Sequence, residues 1–286
     1  MFFREGGKTS MDNLSSLLRG SVTIMTPLLF AAAGGLFPAL AGTLNIALEG
    51  LLLAGAFSSL AVFYHTGSAT AAIAAAILSA TTLSALHAFT AFKLRANIFI
   101  TGLAVNLFSS GLCVVISDKL FKTRGVVAAN SIPGLLKWYF IAGLLLLIIS
   151  YIAIYKTPFG YRLRACDKNS DALISLGINP RLYQTAALLL SGAFAGIGGS
   201  FLSLNLGAFV PGMSAGKGWI ALVVIYLGWR KPQGVLAAAF VFGLAESFSN
   251  YAQGFWNIPA DFILAFPYFC TLIAMIAVSV KTRHNF

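Results

Sequence analysis

Blocks without a charged residue cover 21–48, 65–90 and 184–216, and every position of 141–149 is apolar. Crossing about 30 Å of hydrocarbon at 1.5 Å per residue takes about 20 helical residues, which blocks of this length supply. A membrane β-barrel needs ~10-residue segments that alternate in polarity, a pattern these blocks lack. The pattern therefore predicts an all-α protein, a polytopic transmembrane helical bundle of about 8–10 spans. Nine are read directly, at 21–41, 46–64, 68–92, 97–117, 134–155, 184–207, 214–230, 232–252 and 258–280. Residues 1–20 are a polar N-terminal segment and 21–286 form one transmembrane domain. The apolar block after residue 20 is too long for a signal-peptide core, so the start is expected to be retained. Pro27, Gly34, Gly35, Pro38 and Gly42 predict that the first two spans are broken, which is tolerated only against protein or a water-filled cavity.

The polar intervals orient the bundle. The longest, 156–183, carries Lys156, Arg162, Arg164, Lys168 and Arg181 against Asp167 and Asp171, and the positive-inside tendency makes it cytoplasmic. Counting spans outward places Lys93, Arg95, Arg230, Lys231, Lys281 and Arg283 on the same side. Lys119, Lys122, Arg124 and Lys137 fall on the other side, and nine spans leave Arg4, Lys8 and Arg19 there as well. An eight- or ten-span count would bring the N-terminus inside.

Composition agrees with a lipid-embedded chain: 58% of the 286 residues are apolar and 9% charged, where soluble domains carry roughly 25% charged residues. The formal charge of +11 lies between apolar blocks and forms no single basic face, which argues against nucleic acid as a partner and for membrane lipid. Cys113, Cys166 and Cys270 are widely separated, as are His65, His87 and His284, so no disulfide framework or metal site is expected. A phosphate loop needs G-x-x-x-x-G-K-[ST]; the run Gly212 to Gly218 lacks both the spacing and the hydroxyl. No nucleophile, base and orienter set is visible either, so the chain is not expected to be an enzyme or to bind a cofactor.

Within 156–183, Ala165, Ala172, Leu173, Leu176 and Ile178 recur at helical spacing, with Asn169 or Ser170 as a cap and Gly177 as a stop. A solvated loop needs no apolar stripe; a short helix lying against another protein does. In the following span, Gly192-x-x-x-Gly196 and Ala195-x-x-x-Gly199 let helix backbones approach closely. Packing alone accounts for such a motif, and a helix that slides during transport is the sharper alternative.

The same loop resembles the permease subunits of ATP-binding-cassette importers of the branched-chain amino acid, ribose and nucleoside group. Their pattern "T-x-x-G-x-x-x-R-A-x-G-x-N-x-x-A-A-x-x-x-G-I" is met by Thr157, Gly160, Arg164, Ala165, Asn169, Ala172, Gly177 and Ile178. The run Leu190 to Gly199 is similar to "l-S-G-a-l-A-G-l-a-G", and Gly42 to Gly50 to "G-x-x-N-I-G-x-E-G", whose Glu is typical of the nucleoside-type branch. Arg95, Asn97 and Thr101 are similar to "r-x-n-x-i-x-T-x-m-x-N", with Asn106 one residue beyond its last position, and Gly216 to Gly234 to a last pattern ending in "l-G-x-x-x-P-x-G". The matches keep their order from about residue 42 to 246. Asp167 stands where the family has Gly, and Ala47 replaces the Gly after Asn-Ile. Asp167 thereby adds an acidic group to the docking loop, which fits a particular ATPase partner or a heterodimer.

The resemblance implies a type II ABC importer permease-like fold whose cytoplasmic coupling helix docks into the ATPase through Gly160, Arg162, Arg164, Ala165, Asn169, Ala172, Gly177 and Ile178. It implies an ATPase partner that carries ATP-Mg, a second permease subunit in a heterodimer, an external substrate-binding protein or lipoprotein, and the bacterial inner membrane. The solute implied first is a nucleoside or riboflavin-like compound, then ribose or another sugar, then a branched-chain amino acid. A stand-alone secondary transporter is the rival of another class.

Candidate pathway residues are Asn45, Glu49, Asn97, Thr101 and Asn106. Asn45 and Glu49, four apart, are expected on one helix face. An ionisable group at membrane depth costs about 2.5–3.5 kcal/mol on insertion scales and faces a cavity or a partner. For Glu49 the alternatives are the solute pathway and backbone groups near the start of the second span. Glu246 and Asn250 form a similar pair, read as structural or gating. The 24 Phe and 9 Tyr offer surfaces on which a planar ring can stack.

Overall fold

The computed structural model describes residues 5–132 and 134–252, with the backbone alone for 5–14. Ten α-helices carry the fold within them: α1 (Glu5–Leu40), α2 (Leu48–Thr66), α3 (Ala69–Ala88), α4 (Ile98–Phe121), α5 (Leu135–Lys156), α6 (Pro158–Lys168), α7 (Ser170–Ser175), α8 (Pro180–Leu206), α9 (Lys217–Leu227) and α10 (Pro232–Ala252). Seven are long and apolar enough to cross a membrane: α1, α2, α3 with the wider turn Phe89–Lys93 that continues it, α4, α5, α8 and α10. The span expected at 258–280 lies outside the described residues.

The helix at 214–230 is shorter than expected. α9 has 11 residues, about 16 Å of rise, roughly half of a hydrocarbon core. The expected break in the first two spans is also narrower: α1 runs on past Pro27 and Pro38, and only 41–47 is irregular. Hydroxyls near Pro27 bond back along the helix, Thr26 to the Val22 carbonyl and Thr23 to that of Arg19, and neighbouring helices cover the rest. Asn45 precedes α2, so it does not share a helical face with Glu49 as its spacing suggested.

Contacts between helix ends fix the topology. Arg181 at the start of α8 reaches the Phe92 carbonyl at the end of α3, and Arg230 reaches Ala39 at the end of α1. At the opposite face, β1 (Val127–Ala128) pairs antiparallel with β2 (Ala208–Phe209), and Ser247 of α10 bonds the Leu17 carbonyl of α1. Leu17 therefore lies on the face opposite 157–179, together with 122–132. Lys119, Lys122, Arg124 and Lys137 remain on that outer face, where Arg124 pairs with Asp118 at 3.1 Å. The positive-inside rule is a bias of numbers, which Lys93, Arg95, Lys156, Arg162, Arg164, Lys168, Arg181, Arg230 and Lys231 still satisfy on the inner face.

α8 is the hub, packed against α1, α2 and α3. A Cβ on Gly192 would sit 2.6 Å from Ser84 Cβ, one on Gly196 2.5 Å from the Ala76 carbonyl oxygen, and one on Gly199 would collide with the Leu52 carbonyl. The two small-residue motifs thus face different helices, Gly192 and Gly196 towards α3, Gly199 towards α2. At Gly198 the closest neighbours belong to α1, Phe30 and the Pro27 carbonyl. With lipid tails as apolar as the side chains, this close approach is the source of helix association. Hydroxyls add to it: Ser84 donates to the Leu188 carbonyl, and Ser59 meets Ser203 at 2.8 Å.

Gly199→Ala is expected to destabilise the bundle by about 1–3 kcal/mol, the usual cost of overpacking. Gly111→Ala, where nothing lies within 4 Å, should leave the bundle no less stable, since Ala is the better helix former. Thermal denaturation in detergent, followed by size-exclusion chromatography, checks the pair; equal midpoints would contradict this account of α8.

Candidate polar junction and cytoplasmic coupling surface

The backbone breaks twice at membrane depth, once at 41–47 and once before α9, and the two breaks meet. After Leu40 the chain turns at Gly42, where φ is +74°, and continues without regular structure through 43–45. Gln184 of α8 donates to the Ala41 carbonyl and Thr43 to that of Pro38. Asn45, 1% exposed, donates to the Ser191 hydroxyl at 2.9 Å and accepts from the Ala47 amide. Ser191 lies 11 residues into α8, about 16 Å from its N-terminal end. α2 therefore starts inside the membrane, and its first turn has no cap of its own, since Ala47 offers no side-chain acceptor. Asn106 of α4 supplies one: Oδ1 accepts from the Gly50 amide at 2.7 Å and Nδ2 donates to the Ile46 carbonyl at 2.9 Å. Ser109, one turn on, donates to the Gly50 carbonyl.

Glu49 does the same for α9. Its Oε1 accepts from the Gly216 amide at 2.8 Å and its Oε2 from the Gly218 amide at 2.7 Å. A carboxylate at a helix N-terminus satisfies amides that have no intrahelical partner and complements the positive end of the dipole. Glu49 also lies in the first turn of α2, so two helix N-termini converge on one carboxylate. The approach requires Gly218, because a Cβ there would collide with the Glu49 backbone. Gly216, in the left-handed region at φ +79°, shapes the turn into α9. Beside it, Lys217 pairs with Glu246 of α10 at 3.2 Å, with side chains only 13% and 23% exposed.

Of the five candidate pathway residues, Asn45, Glu49 and Asn106 gather at this junction. Asn97 and Thr101 do not. Asn97 caps α4 through the Phe99 and Ile100 amides, about 13 Å of helix before Asn106. Thr101 bonds the Ile98 carbonyl of its own helix. Lys217 and Ser191 belong to the junction and went unread in the sequence. Lys217 had a signal: a cation opening a membrane span needs an anion, and Glu246 stands in the next one.

On the inner face, α5 turns directly into α6. Thr157 caps α6 by accepting from the Gly160 amide, and a Cβ on Gly160 would collide with the Ile154 and Ala153 carbonyls. Arg164 lies over the rings of Tyr155 and Tyr161, at 4.8 and 5.1 Å, and Arg162 donates to the Tyr183 hydroxyl at 2.9 Å. Asn169 ends α6 and caps α7 through the Ala172 amide, as its position suggested, while Ala165 falls on the preceding helix instead. Gly177, at φ +74°, stops α7, and the Ile178 amide closes on the Leu173 carbonyl. Leu173 is buried, whereas Ile174 and Leu176 are 61% and 75% exposed. Ala165 sits on α6 beside a cavity of ≈ 600 Å³, and Ala172 is exposed on α7. Burial pushes the Cys166 thiol above its usual range, which leaves it a packing group rather than a reactive thiolate.

Asp167 faces inward. Its Oδ2 accepts from Arg230 Nη1 at 3.0 Å, and the same nitrogen donates to the Ala39 carbonyl.

The chain is 31% identical to the guanosine ABC transporter permease protein NupQ of Bacillus subtilis (strain 168), covering 92% of this chain and 91% of that one. It is also 31% identical to the nucleoside ABC transporter permease protein NupC of Lactococcus lactis subsp. cremoris (strain MG1363), covering 93% and 92%. The guanosine ABC transporter permease protein NupP of Bacillus subtilis is 27% identical over 77% of this chain and 69% of its own. Among solved structures, PsaBC from Streptococcus pneumoniae in complex with Fab shares the fold, with a TM-score of 0.53 and 14% identity over 90% of both chains. The chain is thus a multi-pass protein of the bacterial inner membrane. Matched over residues 17–278, it belongs to the family of branched-chain amino acid transport system permease components.

Proposed function

We propose that this chain is one of two membrane-spanning subunits of an ATP-driven importer for nucleosides, working with a second permease, cytoplasmic ATPases and an external substrate-binding protein or lipoprotein. The observation that carries the reading is full-length similarity to permeases named for guanosine and nucleoside transport. That similarity favours a nucleoside over riboflavin, ribose or a branched-chain amino acid. A heterodimer is favoured because two permeases of Bacillus subtilis, NupQ and NupP, both match this one chain. ATP-Mg belongs to the partner ATPase, and the chain itself is a transport subunit rather than an enzyme.

The coupling role falls to 157–179. Leu173 anchors α7 to the bundle while Ile174 and Leu176 point away from it, a short helix with its apolar edge turned outward. Such an edge fits a groove of a partner protein. Gly160, Arg162, Arg164, Ala165, Asn169, Ala172, Gly177 and Ile178 hold or surround that helix and are the proposed coupling set. Asn45, Glu49 and Asn106 are the proposed pathway set, with Asn97 and Thr101 on the same helix as Asn106. The junction they form is polar, lies at membrane depth, and sits where two half-inserted helix ends can part.

Uptake of labelled guanosine into cells that express this chain with its second permease, ATPase and binding protein tests the function. Uptake should vanish when the ATPase is omitted or cannot hydrolyse ATP. Uptake that persists without it would make the protein a secondary transporter, and uptake of sugars or aliphatic amino acids alone would move the solute class.

Leu176→Asp and Gly177→Val should each abolish co-purification of the ATPase while the permease keeps its elution volume. Retention of the ATPase in both would remove 157–179 from the coupling role.

Glu49→Gln leaves one acceptor for two amides, so it should lower guanosine uptake and cost about 1–3 kcal/mol of stability, the penalty of one unsatisfied buried group. Wild-type uptake and an unchanged melting midpoint would contradict the assignment.

A further inference from the structure

We propose that α9 is a two-ended strut that carries movement of the coupling segment to the polar junction, with Asp167 and Arg230 as the latch at its cytoplasmic end. The proposal rests on the reading of 157–179 as the docking segment of an ATPase.

Each end of α9 is fastened to a different part of the protein. At its N-terminus the Gly216 and Gly218 amides are held by Glu49 of α2, and the Lys217 side chain by Glu246 of α10. Beyond its C-terminus, Arg230 bonds the Asp167 carboxylate of α6 and the Ala39 carbonyl of α1 through one nitrogen. Asp167 is itself seated against the other break, since a Cβ on Gly42 would lie 2.9 Å from its Oδ1. A displacement of α6 therefore acts at once on the end of α1 and on the foot of α9.

The element between these fastenings is stiff. α9 buries Ile220, Ala221, Val224 and Ile225 in the main core. The turn that follows cannot slacken, because Gly228 and Gly234 meet backbone to backbone with no room for a Cβ on either. Trp229 and Arg230 both adopt left-handed conformations, with φ of 53° and 54°. For residues other than glycine these are sparsely populated and persist where the surroundings fix them. For Arg230 the fixing contacts are the carboxylate and the carbonyl. A helix of 11 residues carries a shift over about 16 Å without absorbing it, from the inner face to the Glu49 junction.

The latch is placed to position rather than to stabilise. Its side chains are 39% and 33% exposed, and a pair so solvated adds little to folding. Asp167 is also the position at which this chain departs from the Gly of the family pattern. It reaches Arg230 of its own chain and so does not present a free carboxylate to the ATPase.

The test uses the complete importer in vesicles, with wild type, Asp167→Asn, Arg230→Gln and the exchange Asp167→Arg with Arg230→Asp. Both single variants should keep the ATPase bound and hydrolysing while solute moved per ATP falls about tenfold, within the usual range of coupling free energies. The exchange should recover most of the loss. Amide hydrogen exchange supplies a readout apart from transport: trapping with ATP and vanadate should alter protection of 214–220 in wild type and leave it unchanged in Asp167→Asn. Wild-type coupling and wild-type exchange behaviour in Asp167→Asn would overturn the latch alone. Failure of the wild-type importer to couple hydrolysis to uptake would remove the importer reading, and the latch with it.

Discussion

The Glu49 carboxylate, receiving the amides of Gly216 and Gly218, solves the problem on which the rest of the fold depends. Hydrocarbon offers no partner to a free backbone amide, so a chain that stops being helical within a bilayer must bring its own acceptors. Here the α1–α2 break and the start of α9 share them. Glu49 serves α9, Asn106 serves the first turn of α2, and Asn45 ties the intervening chain to α8. Removing Glu49 or Asn106 exposes backbone groups of a different helix, and removing Asn45 unpairs the Ser191 hydroxyl, so four helices are joined to a single polar centre.

That centre can exist because α8 lets its neighbours come close. Gly192, Gly196 and Gly199 bring α3 and α2 to backbone contact, so α2 begins beside Ser191 rather than at the membrane surface. Small residues alone would permit sliding, which was the alternative reading of the motif. Gly196 and Gly199 lie about 60° apart around α8 and bring it to backbone contact with α3 and α2 together, which fits the packing reading of the motif. Movement is left to elements that are not packed on α8, of which α9 is the shortest that reaches the junction.

Much of this was legible from hydrophobic blocks. The spans at 46–64, 68–92, 97–117, 134–155 and 232–252 fall within a few residues of the observed helices, because burial in lipid leaves a strong, local signal. The short α9 was not legible. Val210 to Arg230 is apolar enough for a full span, and only the distant Glu49 shows where its helix starts. The proline signal in α1 misled for a related reason, since a helix covered by its neighbours runs on past Pro27 and Pro38. Glu49 and Asn106 were readable as costly polar residues, but their partners lie in other helices, beyond the reach of local spacing. Asp167 drew attention as a departure from a pattern, and its pairing with Arg230, 63 residues on, has no sequence signature.

The same geometry bears on how motion at one face reaches the middle of the membrane. A packed bundle is bistable rather than continuously deformable, so a small displacement is transmitted only through elements fastened at both ends. α6 is fastened to α5 by the Gly160 contact and to α8 by Arg162 and Tyr183, which limits it to tilting as a unit. Tilting moves Asp167, and Asp167 touches the end of α1 and the foot of α9 together. At the far end the bonds at stake are two amides on one carboxylate, strong while aligned and steeply weaker once a helix rotates. A rotation of α9 therefore frees the Glu49 carboxylate and the Gly216 and Gly218 amides together. The junction that closes the fold is, by the same bonds, the place where it can open.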